Sequence, residues 1–334
     1  MLAVLSFAAF SGFLFLNSLY LQEARGLHAS AAGLMTLPIA YSRDGAFLAI
    51  GNEANAPNVH VYRMSDGSLV HAFDGVGDRA MSVAFSPDGA ILAVAGETPA
   101  GVVGVNAPDL VKLYDSNSGS ELRSLPVSSG NYADSVAFSS DGALLATAGA
   151  SNNVEVWRVS DGMRVTQIPY VASVHNVHFG PTDSEIIVGG YDARATVWSV
   201  PDGKKLLELA PTTDEMSDAA FSPDGSQIAT TGPDNDVQIW DASSGKLLQR
   251  IASHQAYVSH VIWFDQNHLI SDDWSGVIIW MKRQPSGDFA VTANLPLNAG
   301  GGIAVSPDRR VLAAATAQSG TPGFEFFAID AAQL

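Results

Sequence analysis

The stretch that decides the fold is residues 218–245, DAAFSPDGSQIATTGPDNDVQIWDASSG. Its apolar runs are separated by a Ser-Pro-Asp-Gly turn at 222–225 and followed by a Ser-Ser-Gly turn at 243–245. Asp-Gly and Ser-Gly pairs favour tight hairpin turns, because glycine takes positive φ at no steric cost. The run VQIW at 237–240, like VEVW at 154–157, is typical of a strand exposed on one face. The stretch therefore predicts antiparallel strands joined by tight turns.

The same pattern recurs along the chain from residue 37 onward. An apolar strand ends in a Ser-x-Asp-Gly turn, a Leu- and Ala-rich strand follows, and a third strand ends in an aromatic residue. Successive third-strand aromatic residues are 52, 43, 41, 42, 40 and 47 positions apart. Seven copies at a period of about 40–50 residues indicate a β-propeller, in which neighbouring blades bury each other's faces. The aromatic residues are Tyr62, Tyr114, Trp157, Trp198, Trp240, Trp280 and Phe327.

The predicted fold class is all-β: a seven-bladed propeller of four-stranded antiparallel blades. Residues 37–334 resemble a WD-repeat propeller of the bacterial type, and Val237–Asp241 is the best copy of that family's Trp-Asp signature. The resemblance implies a structural aspartate six positions before the third-strand aromatic, which Asp192 and Asp234 provide. It also implies a histidine before the first strand, for which His254 is the candidate. Because aromatic side chains bury large areas, blade-core positions are assigned to Trp157, Trp198, Trp240 and Trp280.

The seventh repeat is incomplete. It continues through Phe324–Phe327 and stops at Leu334 without a fourth strand. The family usually closes its ring with a strand from the other terminus, but residues 23–34 are rich in Ala and Gly, which are poor strand formers. We therefore predict a three-stranded last blade with an open outer edge. Pairing of residues 22–36 with Phe324–Ile329 would contradict that prediction.

An apolar segment precedes the repeats. Residues 2–21, LAVLSFAAFSGFLFLNSLYL, carry no charge, and twenty helical residues span about 30 Å, the thickness of a bilayer core. We divide the chain into a transmembrane-like helix and linker, 1–36, and a propeller, 37–334. The alternative is a secretory signal over residues 1–31, which would make the protein secreted or periplasmic. Arg25 and Arg43 follow the apolar run and nothing basic precedes it, which favours a membrane-tethered, cytoplasmic propeller.

Residues 13–40 also resemble part of a major facilitator superfamily multidrug antiporter. The Tyr20-Leu21-Gln22 turn, the Ala32-Gly33-Leu34 helix opening and Leu37-Pro38 carry this likeness. A transporter needs many helices around a midplane site, and no later apolar run reaches 18 residues. We therefore do not expect transport by this chain alone. A fusion or misjoined product is an alternative, which sequencing the genomic junction around codons 36–42 tests.

Composition excludes several classes of site. The chain of 334 residues has no cysteine, so it has no thiolate metal site, cysteine nucleophile or disulfide. Its net charge of −17 argues against a nucleic-acid partner, which requires clustered Lys and Arg. His175 and His178 lie three apart on a predicted strand and point to opposite faces, so they do not share a metal. Adjacent Asp272 and Asp273 diverge for the same reason. We predict no cofactor and no metal.

The best candidate for a site is the channel mouth, which the residues leading into the first strands surround. Aromatic and charged side chains there suit a protein or peptide partner. The sequence favours a non-catalytic scaffold; the alternative is a propeller enzyme of the lactonase or hydrolase type, with three or more of Asp, Glu, His and Asn converging at the mouth. The long loop from Glu97 to Asp109 is a further candidate. The predicted mouth residues are Arg79, Tyr132, Asp134, His175, Glu215, Tyr257 and Ser259.

Overall fold

The computed structural model describes residues 38–51, 58–73, 76–77, 79–97, 110–128, 132–209, 216–296, 302–318 and 321–329. Within these residues the chain forms 27 strands in seven antiparallel sheets, and no helix. Blades one to three contain β1 (Ile39–Tyr41), β2 (Phe47–Gly51), β3 (Val59–Arg63), β4 (Leu69–Phe73); β5 (Arg79–Phe85), β6 (Ile91–Glu97), β7 (Val111–Asp115), β8 (Glu121–Leu125); and β9 (Ala133–Phe138), β10 (Leu144–Gly149), β11 (Asn153–Arg158), β12 (Arg164–Pro169).

Blades four to six contain β13 (Val174–Phe179), β14 (Glu185–Gly190), β15 (Ala195–Ser199), β16 (Lys205–Glu208); β17 (Asp218–Phe221), β18 (Gln227–Thr231), β19 (Asp236–Asp241), β20 (Leu247–Ala252); and β21 (Val258–Asp265), β22 (His268–Asp273), β23 (Val277–Arg283), β24 (Phe289–Pro296). Blade seven contains β25 (Ile303–Val305), β26 (Val311–Gln318) and β27 (Thr321–Ala328). The seven-bladed, all-β architecture predicted from the repeats is confirmed.

The first strands of the blades form the inner wall of a ring. β1 contacts β5, β5 contacts β9, and the series continues through β13 and β17 to β21. β1 also contacts β25, so the first and last blades are neighbours. Within each blade the strands follow chain order from the first strand outward. All first strands consequently begin at the same end of the ring.

The Ser-x-Asp-Gly turns join the first and second strands at the opposite end. In blade five the Ser222 hydroxyl donates to Asp224 Oδ1 at 2.7 Å and accepts the Gln227 amide at 2.9 Å. Gly225 completes the turn at φ +74°, in the left-handed region that favours glycine. The Ser226 amide and the Ser222 hydroxyl outweigh partial desolvation and lower the pKa of Asp224 to about 2. Part of the acidic excess therefore serves turn structure.

The hydrophobic core is divided among the interfaces between blades. One buried cluster joins Val154 of blade three to Val177 of blade four, and further clusters lie at the other described interfaces. Each blade covers only part of its own apolar surface and buries the rest against its neighbours. The ring is therefore the unit that carries stability.

Blade seven differs from the other six, because its sheet has three strands in the described part of the chain. Phe326 of β27 pairs with Ala313 and is only half-buried. The residues at the same register position in the other blades are between 0 and 4% exposed. They are Val61, Leu113, Val156, Val197, Ile239 and Ile279. The predicted three-stranded last blade is confirmed for these residues, and Phe326 is exposed because no described strand lies outside β27.

The N-terminal helix, the transporter-like stretch up to residue 37 and the long loop over 98–109 lie outside the described residues. The end of the transporter-like stretch is described: Ile39 and Ala40 lie in β1, paired with Ile50 and Ala49 of β2. These residues are thus part of the propeller, not the start of a second helix. In the described ranges no helix has the length and apolar character needed to cross a membrane.

Candidate partner-binding face

We call the end of the ring where the first strands begin the mouth face. It is formed by the connections between successive blades and by the turns between second and third strands. Of the seven predicted mouth residues, Glu215 lies outside the described residues. Ser259 is buried, with 7% of its surface exposed, so it presents little area to a partner. The other five lie at this end of the ring.

An ion pair of blade two stands next to blade three. Arg79 and Glu97 are opposite each other on β5 and β6, and Arg79 Nε lies 2.7 Å from Glu97 Oε2. Tyr132 forms a β-bridge with Glu97, and its hydroxyl is hydrogen-bonded to Ser173. Burial raises the pKa of Tyr132. The connection between blades two and three is therefore held at the mouth by polar contacts.

Asp134 is the central charged group of this corner. Its side chain is 9% exposed, and its Oδ2 lies 3.7 Å from His175 Nδ1 of blade four. Burial raises the pKa of Asp134 to about 7; the positive charge of Arg79 opposes that rise and the negative charge of Glu97 adds to it. His175 also lies against Tyr191, with ring centroids 3.9 Å apart. Charged and aromatic groups of three blades thus meet here.

Apolar side chains are exposed elsewhere on the mouth face. Tyr191 and Trp274, in turns between second and third strands, are 47% and 42% exposed. Tyr257 stacks on Trp274 with ring centroids 4.3 Å apart. Val171, in the connection between blades three and four, is 83% exposed. Exposed aromatic residues beside a charged corner are typical of protein-binding surfaces.

The structure brings together a second cluster that the sequence reasoning missed. His178 of β13 points toward blade five, where its Nε2 lies 3.3 Å from Asp218 Oδ1. Asp218 also accepts the amides of Ala219, at 2.8 Å, and of Val261, at 3.0 Å. His260 of β21 contacts Asp272, Nδ1 to Oδ1, at 3.0 Å. These contacts link the inner strands of blades four, five and six.

The charges of Asp218 and His260 support each other, although burial and the charge of Asp218 raise the pKa of Asp272. Burial opposes ionisation of Asp218, but the hydrogen bond and charge of His178, with those of His260 and the Val261 amide, lower the pKa of Asp218. Burial likewise opposes charge on His260, but Asp272 and Asp218 raise its pKa to about 9. His260 is therefore a cation at neutral pH, held between carboxylates.

The predicted divergence of neighbouring side chains is seen here. His175 contacts Asp134 of blade three, whereas His178 contacts Asp218 of blade five. Asp272 contacts His260, whereas Asp273 Oδ2 lies 2.8 Å from His254 Nδ1. In the described ranges no three His, Asp or Glu side chains are arranged to hold a metal ion.

Two of the predicted blade-core tryptophans each donate a buried hydrogen bond to a threonine. Trp157 and Trp240 are 2% exposed and donate their indole N–H groups to Thr147 and Thr230 at 3.0 and 2.9 Å. The acceptors lie on the neighbouring second strands. A buried indole with a hydrogen-bond partner fixes the ring's orientation as well as filling space.

The other two tryptophans depart from this arrangement. Trp198 is half-buried and donates to Thr196 of its own strand at 2.8 Å. Trp280 is 5% exposed and packs edge-on against Phe264, with ring centroids 5.4 Å apart. Both nevertheless lie in the apolar layers between blades.

The predicted structural aspartates have different contacts. Asp192 accepts a hydrogen bond from the Tyr170 hydroxyl at 3.2 Å, which joins the turn of blade four to the connection that precedes it. Asp234 Oδ2 lies 3.9 Å from Arg250 NH1, which is closer to Asp236, at 3.0 Å. The ion pair of Arg250 with Asp234 is therefore weaker than its ion pair with Asp236.

In blade six the structural aspartate does not lie six positions before the third-strand aromatic residue, as the repeat pattern predicts. Asp273 lies seven positions before Trp280 and accepts the Ser275 amide at 2.9 Å and the Val277 amide at 3.1 Å. It also contacts His254, whose Nε2 is hydrogen-bonded to Ser271 Oγ at 2.7 Å. His254, the histidine singled out in the sequence, is thus part of a fully buried polar chain.

Comparison with known proteins supports the class of protein that this fold defines. Two segments, 119–158 and 203–241, match the family model described as WD domain, G-beta repeat. Two segments of this seven-bladed propeller thus match the WD40 repeat model.

Two individual proteins are similar to the chain. An uncharacterized WD repeat-containing protein of Synechocystis sp. is 43% identical over 89 residues, which is a quarter of each chain. A chain in the crystal structure of a mitotic checkpoint complex has the same fold, with a TM-score of 0.76 at 19% identity. That match covers 91% of this chain and 93% of the other.

Proposed function

We propose that the protein is a non-catalytic scaffold that binds a protein or peptide partner on its mouth face. The observation that carries this proposal is the exposure of Val171, Tyr191 and Trp274 at one end of a rigid ring, beside the charged corner around Asp134. Binding energy at protein interfaces is concentrated in such aromatic anchors. The structural neighbour belongs to a multi-protein assembly by its name, which supports the same class of function.

Site-specific cross-linking tests this proposal. A photo-reactive amino acid is placed at Val171 on the mouth face or, as a matched control, at Met163 on the opposite face. Both positions are on or beside blade three and are exposed, at 83% and 61%. In the native host we expect one discrete cross-linked protein from position 171, reduced at least about tenfold by Trp274→Ala. Equal cross-linking from both positions would contradict a mouth-face partner.

One observation favours a second candidate, the hydrolase-type propeller enzyme. Glu97, Asp134 and His175 come together at the mouth, and a carboxyl with a pKa of about 7 suits general acid–base catalysis. Turnover of a panel of lactones and esters that is abolished by Asp134→Asn would establish this candidate. Rates equal in the two proteins would exclude it.

We also propose that residues 2–21 tether the propeller to a membrane, on the basis of their uncharged, bilayer-length sequence. Deleting residues 1–22 tests this: the truncated protein should stay soluble without detergent, whereas the full chain should fractionate with membranes. A full chain that remains in the soluble fraction would contradict the tether.

A further inference from the structure

The strongest unexplained group on the mouth face is the carboxyl of Asp134. Its side chain is nine-tenths buried, yet no described residue donates a hydrogen bond to it. Among the described residues, the nearest nitrogen of an ionisable side chain is His175 Nδ1, at 3.7 Å, beyond hydrogen-bond distance. Buried polar groups are nearly always hydrogen-bonded, so a carboxyl for which the described residues supply no donor is open to a donor from a binding partner.

The charges around Asp134 define what that partner carries. Arg79 is the neighbouring cation, but it is already paired with Glu97 at 2.7 Å. Glu97 adds a second negative charge near Asp134. Among the described residues, the titratable groups that interact with Asp134 are Arg79, Glu97, Tyr132 and His175. Among the described residues, Arg79 is the one permanently charged cation beside the carboxylates of Glu97 and Asp134, so the corner can accommodate a second cation.

Two aromatic rings, those of His175 and Tyr191, lie beside these carboxylates. His175 lies between Asp134 and Tyr191, and its ring is 3.9 Å from that of Tyr191. Tyr191 is 47% exposed, so its ring is accessible from the mouth face. A guanidinium group both pairs with carboxylates through a planar set of donors and stacks on aromatic rings, whereas an ammonium is a more strongly hydrated point charge.

We propose that this corner of the mouth face, formed by Glu97, Asp134, His175 and Tyr191, binds an arginine side chain of the protein partner. The inference rests on the proposed scaffold function and names the chemistry that the partner brings. Arginine supplies hydrogen-bond donors for Asp134 and a second positive charge for the two carboxylates, beside that of Arg79. Burial is the main cause of the raised pKa of Asp134, and a cation brought by a partner would offset it.

A defined peptide tests the inference without knowledge of the partner. The probe is a fluorescently labelled Gly-Ser peptide with one central arginine, and the controls carry citrulline or lysine in its place. We expect the arginine peptide to bind at least about tenfold more tightly than the citrulline peptide, since loss of a partner to a buried charge is costly. Equal binding of arginine and citrulline would overturn the inference, and tighter binding of lysine would overturn the choice of a guanidinium.

Variants of the protein locate the probe. Asp134→Asn should abolish the preference for arginine, and Tyr191→Ala should weaken binding several-fold. The matched control is Asp202→Asn, an exposed carboxylate in a turn on the opposite face, which should leave binding unchanged. An arginine preference that survives Asp134→Asn places the peptide elsewhere and overturns the inference. Since Tyr191 is exposed, its variant keeps the test valid if Asp134→Asn unfolds.

Proton release gives an independent readout. Because the pKa of Asp134 is about 7, a bound cation should displace part of a proton at pH 7. Calorimetry in buffers of different ionisation enthalpy should show that release for the native protein and not for Asp134→Asn; no release from the native protein would overturn the inference. If cross-linking at Val171 finds a partner while the arginine peptide shows no preference, the scaffold proposal stands and only this inference fails.

Discussion

Asp218→Ala should lower the free energy of unfolding by about 3–5 kcal/mol, the usual effect of breaking a buried ion pair. The substitution removes the acceptor of the Val261 amide and leaves His178 and His260 without their shared carboxylate. Three blades lose contacts at once, because Asp218 joins β13, β17 and β21. Denaturant unfolding followed by tryptophan fluorescence measures the change.

Ser135→Ala is the matched control. Ser135 occupies the same position in blade three and accepts the Val177 amide of blade four through a neutral hydroxyl, at 3.2 Å. Loss of that single neutral hydrogen bond should cost about 1 kcal/mol. If the two substitutions had equal effects, Asp218 would be acting only as a hydrogen-bond acceptor and not as the centre of a charge cluster.

Stability should fall as pH rises through about 9, and His260 should account for much of that fall. The pKa of His260 is about 9 in the folded protein, above the ordinary value of 6.5. Its contribution is therefore fully present below pH 6.5 and is lost as pH rises through 9. Because the ring is 29% exposed and solvent screens part of the interaction, we expect a loss of about 2–3 kcal/mol.

His260→Gln isolates that contribution. Buried tyrosines with raised pKa values, Tyr41 and Tyr170, also favour unfolding in alkali, but they do so in both proteins. Free energies of unfolding measured between pH 6 and 9.5 should decline more steeply for the native protein than for His260→Gln. Parallel curves would show that the cluster does not bind a proton at His260.

The fold could be predicted from sequence because the turns of each repeat are specified by residues close together in the chain. The serine and aspartate of each Ser-x-Asp-Gly turn bond to nearby backbone, so those residues specify the turn without distant contacts. The alternation at 154–157 and 237–240 correctly marked third strands, but the expected exposed face is wrong, because Glu155 and Gln238 are only 1% and 2% exposed. The shift of Asp273 by one position was missed because its partner His254, which is also bonded to Ser271, is brought to it by the fold.

The cluster around Asp218 on the inner strands was missed because His178, Asp218 and His260 are about 40 residues apart and meet only across blades. A periodic signal was nevertheless present. Polar residues stand three positions before the first-strand aromatic in five successive repeats: Ser82, Ser135, Asn176, Asp218 and His260. In the structure three of these positions accept an amide from the following blade or the next inner strand, at Ser82, Ser135 and Asp218. The sequence positions of these residues are periodic, but the charge states of Asp218 and His260 depend on their burial and on their partners in neighbouring blades.

The same limit applies to the mouth. Its residues were found from their place before the first strands, but the raised pKa of Asp134 depends on burial and on Glu97. Glu97 had been noted only as the start of a long loop. The exposed Tyr191 and Trp274 come from turns between second and third strands, a source that reasoning from first strands did not include.

Hydrogen exchange of the propeller, alone and with the partner identified by cross-linking, tests the central claim most directly. The account predicts slowed exchange in the connections and turns of the mouth face, around 170–173, 191–194 and 274–276, with no change in the Ser-x-Asp-Gly turns at the opposite end. Protection confined to those opposite turns, or to the open edge of β27, would contradict it.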